Sequence, residues 1–217
     1  MNSLSCRPLG GIMARMFLSD PPLDSDVQAM YDRDLAEYGY VNNNTRLWGW
    51  RPDVFSAFKQ VRVTNGRAMS LTDREFAVVI AATVAQRGDA YCSLAWGSNL
   101  AEESGDEVAA AVLSGESPAE LTEREAALAR WARLVSYDAN ATSAGDVEQL
   151  RAVGFSEREV FEVTALVAFR IAYSTVNDAL SALPDRQLAA AAPPEVRAAI
   201  GFGRPVDPNP STSDAER

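Results

Sequence analysis

The amino-acid sequence predicts an all-α protein, and three observations support this. Apolar residues recur at intervals of three and four along every segment that could be ordered, which is the helical period. No segment alternates apolar and polar residues as a half-buried strand does, and the β-branched run at 77–80 lies inside a helical frame. Three segments also carry the hydroxyl-to-glutamate spacing with which helices begin.

Those three helix starts share one pattern, in which an apolar residue precedes a hydroxyl residue and a glutamate follows three positions later. The hydroxyl residues are Thr72, Thr122 and Ser156. In this capping box the hydroxyl accepts an N–H of the first turn, and the glutamate accepts the N–H of the cap residue. We therefore expect a helix to begin at each of the three positions.

The predicted helices follow in chain order. The first covers about 27–38, a loop follows at 42–45, and Pro52 begins a second helix for which Gly66 is a possible end. The remaining ones run from Thr72 to Gly88, from Asp89 to about Glu103, and then over 107–113, 123–135, 146–153 and 157–183. The sequence thus predicts seven to eight helices.

A change of composition divides the chain into three parts. Residues 1–18 are expected to form a flexible N-terminal segment, and residues 19–183 a single helical domain with a real core. Residues 184–217 are rich in proline and alanine and are expected to be largely disordered, most of all over the last fifteen residues, because they offer little apolar surface to bury.

Charge and composition exclude several functional classes. The net charge is −10 and the isoelectric point about 4.6, which disfavours binding to nucleic acid or to anionic membranes. No apolar run reaches the length of a membrane span, and the first twenty residues lack the apolar region of a signal peptide. We therefore expect a cytoplasmic protein with no nucleic-acid partner and no membrane partner.

The chain contains no histidine and only two cysteines, Cys6 and Cys92. Without imidazole there is no Ser-His-Asp triad, no Cys-His pair and none of the usual zinc or iron sites. No carboxylate spacing suggests a dedicated metal cage, and two cysteines cannot make a disulfide framework. We expect no metal and no cofactor.

The most informative segment is 88–96, Gly-Asp-Ala-Tyr-Cys-Ser-Leu-Ala-Trp, which follows an apolar helix. It resembles the active-site segment of the alkylhydroperoxidase-D / carboxymuconolactone decarboxylase superfamily, whose redox members carry a glutamate, two cysteines spaced Cys-x-x-Cys, and a histidine. The cysteine positions fall on Asp89 and Cys92, the histidine on Trp96 and the glutamate on Ala77. One of the four catalytic positions therefore keeps its residue.

The resemblance covers about residues 18–183, including the closing helix. It implies the helical fold of that superfamily and an assembly of identical subunits as a dimer, trimer or larger ring. It also implies an active site at a helix N-terminus near a subunit interface. Asp89 cannot form a disulfide with Cys92, so the two-cysteine peroxidase cycle cannot operate at this site unless Cys6 or an external thiol resolves Cys92.

The catalytic residues that we predict are Asp89, Tyr91 and Cys92. Asp89 follows a helix-ending glycine, so it is either an ordinary N-cap or a general acid or base facing the pocket. Cys92 is either a thiol activated by the helix N-terminus or a small buried apolar residue. The carboxylate three residues earlier opposes the thiolate.

The substrate-binding residues that we predict are Trp96, Arg170 and Tyr173. Trp96 cannot transfer protons, but its aromatic face could line a pocket for an apolar substrate. Alternatively, Trp96 could belong to the core. Arg170 and Tyr173 belong to a polar stripe with Ser174 and Asn177 at helical spacing. Arg170 could hold an anionic or carbonyl group of a substrate, or form a core or intersubunit salt bridge, for example to Asp89 or to Glu75.

Three functions remain open at the level of sequence. The first is an enzyme that performs non-redox acid–base chemistry, such as decarboxylation, isomerisation, dehydration or cyclisation, on a small and largely apolar metabolite. The second is a one-cysteine peroxidase that uses Cys92. The third is a helical oligomer that binds a ligand without catalysis. In each case the expected partners are a small organic molecule and further copies of the chain.

Overall fold

The computed structural model describes residues 16–209, except for the side chains at 67 and 68. No strand occurs between residues 16 and 209, and the all-α prediction is confirmed. The described residues form eleven α-helices, eight of which are longer than six residues, in agreement with the seven to eight predicted. They are α1 (Ser25–Tyr38), α2 (Asn43–Trp48), α3 (Pro52–Ala68), α4 (Asp73–Arg87), α5 (Ala90–Ser104), α6 (Asp106–Leu113), α7 (Glu123–Asp138), α8 (Ala144–Ala152), α9 (Glu157–Ala179), α10 (Arg186–Ala191) and α11 (Pro194–Ala199).

Helix α4 forms the centre of the fold. It packs against α5, α7 and α9, and every residue from 77 to 84 is buried. A helix that is apolar on all sides needs neighbours on all sides, which is why this segment carries no polar face. The β-branched residues at 78–80 are fully buried here, so tertiary packing overrides their modest preference for strands.

All three predicted capping boxes form. Thr72, Thr122 and Ser156 each accept the backbone N–H of the glutamate three residues later, and each glutamate side chain accepts the N–H of its cap residue. These boxes satisfy donors that would otherwise be unpaired at the starts of α4, α7 and α9.

Two of these helix starts are joined by a crossed pair of salt bridges. Arg74 at the start of α4 donates to Glu125 of α7 at 2.7 Å, and Arg124 at the start of α7 donates to Glu75 of α4 at 2.6 Å. Both glutamates are buried and are the glutamates of the capping boxes. The repeated Thr-x-Arg-Glu sequence therefore fixes the first turns of α4 and α7 against each other.

A glycine allows α5, α6 and α11 to pack closely. A Cβ atom added at Gly97 of α5 would lie 2.7 Å from Leu113 of α6 and 2.7 Å from Val196 of α11. Val196 is fully buried. The short helix α11 is thus held by its contacts with α6 and α5, since six residues alone do not form a stable helix.

Three predicted boundaries were wrong. Residues 42–45, predicted as a loop, lie at the start of α2, where the N–H of Asn43 donates to Asp185 and Trp48 is buried. Helix α3 continues past Gly66 to Ala68. The closing helix α9 ends at Ala179 rather than at residue 183.

The predicted disorder of 184–217 was also wrong where this part of the chain is described. Residues 186–191 and 194–199 form α10 and α11, and residues 200–209 (the C-terminal strap) lie against the body of the fold. The N–H of Asp207 donates to the carbonyl of Pro184 at 2.9 Å. Buried tertiary contacts order a segment whose composition alone is typical of disorder. Residues 1–15, which include most of the N-terminal segment, and residues 210–217 lie outside the described residues.

Candidate functional site

The turn between α4 and α5 builds the site. Gly88 ends α4 in the left-handed conformation with φ 71°, which a glycine adopts without strain. Asp89 follows as the N-cap of α5, and its carboxylate accepts the backbone N–H of Cys92 at 2.8 Å. The prediction of Asp89 as an N-cap is therefore confirmed. Asp89 is fully buried, and its second carboxylate oxygen has no hydrogen-bond partner among the described residues.

Cys92 lies on the first turn of α5 and is 3% exposed. Its Sγ is 3.8 Å from Nη1 of Arg170. Burial, followed by the negative charge of Asp89, raises the pKa of the Cys92 thiol well above its usual range, although Arg170 lowers it. At neutral pH the thiol is therefore protonated and a poor nucleophile. No second cysteine occurs between residues 16 and 209, and Cys6 lies outside the described residues.

Arg170 is a buried cation with no carboxylate partner. It is 3% exposed, and no carboxylate of residues 16–209 lies within 4.0 Å of it. Its guanidinium lies 5.2 Å from the ring centre of Trp96 and 5.5 Å from that of Tyr173, and its Nε has no hydrogen-bond partner. A core salt bridge of Arg170 to Asp89 or to Glu75 is not formed: Asp89 caps α5, and Glu75 pairs with Arg124.

A cavity of about 730 Å³ lies beside these residues, between α1, α3, α5 and α9. Three of the six predicted site residues line it, namely Tyr91, Trp96 and Tyr173. The other three, Asp89, Cys92 and Arg170, are buried and do not belong to the lining, and the Arg170 guanidinium lies against the Trp96 ring. The cavity is largely apolar and has the size of a small-molecule site.

Tyr173 is held in a stack of aromatic rings. Its ring lies 5.4 Å from that of Trp48 at an angle of 6°, and 6.3 Å from that of Phe58 at 4°. The Tyr173 hydroxyl accepts a hydrogen bond of 3.0 Å from the side-chain amide of Asn44. The indole N–H of Trp48 donates to Asn177 at 2.9 Å. The polar stripe on α9 therefore joins α9 to α2 and α3.

The hydroxyl of Tyr91 donates to Asp185, the residue that precedes α10. Burial raises the pKa of the Asp185 carboxyl to about 6, although the hydrogen bonds from Tyr91 and from the N–H of Asn43 lower it. Burial and the charge of Asp185 likewise raise the pKa of Tyr91 well above its usual value. Tyr91 therefore stays neutral and serves as a hydrogen-bond donor rather than as a phenolate.

Buried polar atoms without a hydrogen-bond partner cluster on two facing elements. Seven such atoms occur among the described residues, and five belong to the start of α5 and to the polar stripe of α9: Asp89 Oδ2, Ser93 Oγ, Arg170 Nε, Ser174 Oγ and Asn177 Nδ2. Unpaired buried polar atoms are uncommon in folded proteins. Their concentration at the start of α5 and on the polar stripe of α9 marks this region as one that packing alone does not explain.

Sequence reasoning missed two residues of the site. Arg62 of α3 lines the cavity beside the rings of Phe58 and Tyr173, and Asp185 holds Tyr91. Arg62 carries no local sequence signal, because one arginine on an amphipathic helix is ordinary. Asp185 lies in a segment that was predicted to be disordered.

Two further findings concern the described residues as a whole. No group of three or more His, Cys, Asp or Glu residues between 16 and 209 is arranged to hold a metal ion. No helix in the same range is long and apolar enough to cross a membrane.

Comparison with known proteins gives matches in structure alone. No protein-family model matches the chain, and no curated protein matches it. A peroxidase-related protein with an alkylhydroperoxidase AhpD core, from Ralstonia eutropha JMP134, superposes with a TM-score of 0.67 at 22% identity, over 80% of this chain and 94% of its own. A peroxidase-related protein from Silicibacter sp. TM1040 gives 0.69 at 17% identity, over 80% and 93%.

A cysteine-to-alanine variant of the debrominase Bmp8, in complex with 2,3,4-tribromopyrrole, also superposes on the chain. Its TM-score is 0.65 at 16% identity, over 81% of this chain and 97% of the debrominase. At these identities the likeness establishes the fold and leaves the chemistry to be argued from the residues of this chain. The protein therefore has the alkylhydroperoxidase-D-like helical fold that its sequence predicted.

Proposed function

We propose that this chain is an enzyme that performs non-redox acid–base chemistry on a small, largely apolar organic molecule. Decarboxylation, isomerisation, dehydration and cyclisation are the reactions in this class. The observation that carries the proposal is the buried turn at the start of α5, where the Asp89 carboxylate accepts the backbone N–H of Cys92. Burial and this carboxylate raise the pKa of the Cys92 thiol. A carboxylate beside a buried thiol disfavours the thiolate form of that thiol.

Asp89 is the acid or base in this proposal. One carboxylate oxygen caps α5, and the other is buried without a hydrogen-bond partner. An unpaired buried carboxylate oxygen lowers the stability of the fold, so the presence of one at Asp89 favours a role for this residue beyond capping. Arg170, with a free Nε and no carboxylate partner, would act as a buried positive charge behind Trp96 and Tyr173 that favours negative charge on a substrate in the cavity.

The cavity supplies the binding surface. Trp96 and Tyr173 form the wall in front of Arg170, and Tyr91 lies on the same wall with its hydroxyl held by Asp185. The debrominase neighbour is in complex with a small bromopyrrole, which supports a small planar ligand for this chain as well. The cavity of about 730 Å³ is large enough for such a molecule.

The test is an isosteric change at Asp89. Asparagine caps a helix about as well as aspartate, so Asp89→Asn should change the free energy of unfolding by about 1 kcal/mol or less. The melting temperature should then stay within a few degrees of the wild-type value. It should nevertheless lower turnover by about a hundredfold or more, because it removes the proton-carrying group. Turnover would be followed by mass spectrometry on a panel of small unsaturated acids and lactones.

Cys92→Ala is the matched control, because it alters the neighbouring position of the same helix turn. It should retain more activity than Asp89→Asn. Full activity of Asp89→Asn together with an inactive Cys92→Ala would overturn the proposal and assign the function to the thiol.

A one-cysteine thiol function is the second candidate, and one contact favours it. Nη1 of Arg170 lies 3.8 Å from Sγ of Cys92 and lowers the pKa of the thiol. Burial and Asp89 act in the opposite direction and outweigh this effect. Consumption of an organic hydroperoxide at enzyme-like turnover in the presence of a dithiol reductant, which returns the oxidised Cys92 to the thiol, would establish this alternative if Cys92→Ser abolished it.

A further inference from the structure

We propose that the cavity recognises a small organic anion, an aromatic or unsaturated carboxylate, whose carboxylate group pairs with Arg62 in front of Arg170. The inference rests on the proposed function, since it names the class of the substrate. It is carried by Arg62, which lines the cavity, and by the buried Arg170 on the other side of the Tyr173 ring; neither has a carboxylate partner among the described residues.

Arg62 is the residue that a ligand would contact. It lies on α3 and lines the cavity, with its guanidinium 5.3 Å from the ring centre of Tyr173. No carboxylate of the described residues lies within 4.0 Å of it. Burial, and then the positive charge of Arg170, lower the pKa of Arg62 to about 10. Two like charges therefore lie close enough to repel each other, and Arg62 is still protonated at neutral pH.

Burial distinguishes these two arginines from the other cations of the cavity. The eight ion pairs among the described residues involve six arginines, so a cation without a carboxylate partner is common in that range. Arg33 and Lys59, which also line the cavity, are exposed. Arg170 is buried, Arg62 is half-buried, and the two share an aromatic ring, Tyr173, instead of a carboxylate. Removing a guanidinium from water without a counter-charge is costly. A bound anion would supply that charge.

The carboxylates that do line the cavity are placed elsewhere on its surface. Asp34 of α1 accepts two hydrogen bonds of 2.9 Å from the backbone N–H and the side chain of Asn42. Glu37 and Asp73 are exposed. None of the three forms an ion pair with Arg62 within 4.0 Å.

The rest of the lining favours an organic ligand over an inorganic anion. Apolar and aromatic side chains, among them Met69, Phe76, Trp96 and Leu166, cover the wall near the arginines. Phosphate or sulfate would leave that surface facing water. A flat unsaturated carboxylate would place its charge at Arg62 and its hydrocarbon part against the aromatic rings.

Binding can be measured without turnover. The probes are 2-naphthoate and its neutral counterpart 2-naphthamide, which have nearly the same shape and differ in charge. Isothermal titration calorimetry on the wild-type chain should show naphthoate binding at least about tenfold more tightly than naphthamide, as for a charge-assisted contact.

Arg62→Gln should weaken naphthoate binding by about tenfold or more and leave naphthamide binding unchanged. Arg33→Gln is the matched control, since Arg33 is an exposed arginine on the same cavity, and it should change both affinities by less than about twofold. Arg170→Met should weaken naphthoate binding and raise the melting temperature of the unliganded protein, because it removes a buried unpaired charge.

Four outcomes would overturn the inference. Two concern the wild type: equal affinity for the two probes, or no binding of naphthoate at millimolar concentration. The other two concern the variants: equal effects of Arg62→Gln and Arg33→Gln, or a lower melting temperature for Arg170→Met without any loss of naphthoate affinity. A changed molecular mass of Arg62→Gln in light scattering, with naphthoate binding intact, would also overturn it by assigning the arginines to a subunit contact. An active Asp89→Asn variant that still binds naphthoate would instead overturn the proposed reaction and leave the anion site in place.

Discussion

The carboxylate of Asp89 accepts the backbone N–H of Cys92 at 2.8 Å, so the acid and the thiol share the first turn of α5. The free N–H groups of a helix start normally favour a thiolate. Here the N–H of the cysteine itself is already engaged by a carboxylate. The same hydrogen bond that begins the helix thus keeps a negative charge beside the sulfur and opposes its ionisation.

The reactivity of the thiol follows from this contact. Because burial and Asp89 raise the pKa of Cys92, iodoacetamide should alkylate it at least about a hundredfold more slowly than free cysteine at pH 8. The measurement is mass spectrometry on a Cys6→Ser background, in which one thiol remains. The rate should rise with pH up to the alkaline limit of the fold. Adding Asp89→Asn should speed the reaction, and rapid labelling at neutral pH would contradict the assignment of a protonated thiol.

Asp178 on α9 should make the protein less stable as the pH rises. Burial, followed by the charge of Asp89, raises its pKa to about 7, although Arg204 and Arg87 lower it. In the unfolded chain an aspartate ionises near pH 4. Between these two values the folded state holds more protons than the unfolded state, so the free energy of unfolding falls as the pH rises from about 4 to 7.

Asp178→Asn should therefore flatten the fall of the melting temperature between pH 5 and pH 8. At pH 8 the variant should melt roughly 2 °C above the wild type. Glu103→Gln, an equal change of net charge at an exposed residue of α5, is the control and should leave the slope unaltered. Parallel curves for Asp178→Asn and wild type would show that the carboxyl ionises normally.

The crossed salt bridges between α4 and α7 should contribute measurably to stability. Glu75 is 6% exposed, and it both closes the capping box and pairs with Arg124. Glu75→Ala should lower the free energy of unfolding by about 2 kcal/mol, about half from the lost cap and half from the unpaired arginine. Urea denaturation gives this value.

Glu148→Ala is the matched comparison, since Glu148 pairs with Arg151 at the surface and its side chain is 63% exposed. An exposed pair of this kind contributes within about 0.5 kcal/mol. Equal losses in the two variants would show that the buried pair has no special role.

Local sequence signals explain the parts of the fold that could be predicted. The three capping boxes, the break at Gly88 and the polar stripe on α9 each depend on residues within a few positions of one another. The start of α5 and the polar stripe of α9, which meet at Cys92 and Arg170, therefore followed from the sequence. The functional roles of Asp89, Cys92 and Arg170 remain predictions. The predicted subunit assembly remains a prediction.

The missed features depend on contacts between distant parts of the chain. Asn43 begins α2 because Asp185, far along the chain, accepts its N–H at 3.0 Å. Val196 is ordered by α5 and α6, in a helix too short to form alone. Arg62 and Arg170 lie against the same ring, that of Tyr173, because α3 and α9 pack together. No local sequence pattern encodes that contact.

The C-terminal strap supplies the last prediction, because it touches the turn that builds the site. Gly203 has φ 74°, and a Cβ atom there would lie 2.4 Å from the carbonyl oxygen of Gly88 and 2.8 Å from the backbone N of Ala90. Both atoms belong to the backbone and cannot move aside. Gly203→Ala should therefore release the strap from the start of α5, at a cost of about 2 kcal/mol or more.

Gly201→Ala is the matched control, since a Cβ atom there meets nothing within 4 Å and its φ is not positive. Hydrogen exchange at Asp207, whose N–H donates to Pro184 at 2.9 Å, reports on the strap directly. This amide should exchange at least about tenfold faster in Gly203→Ala than in the wild type and be unchanged in Gly201→Ala. The same exchange rate in all three proteins would mean that the strap does not depend on its contact with Gly88.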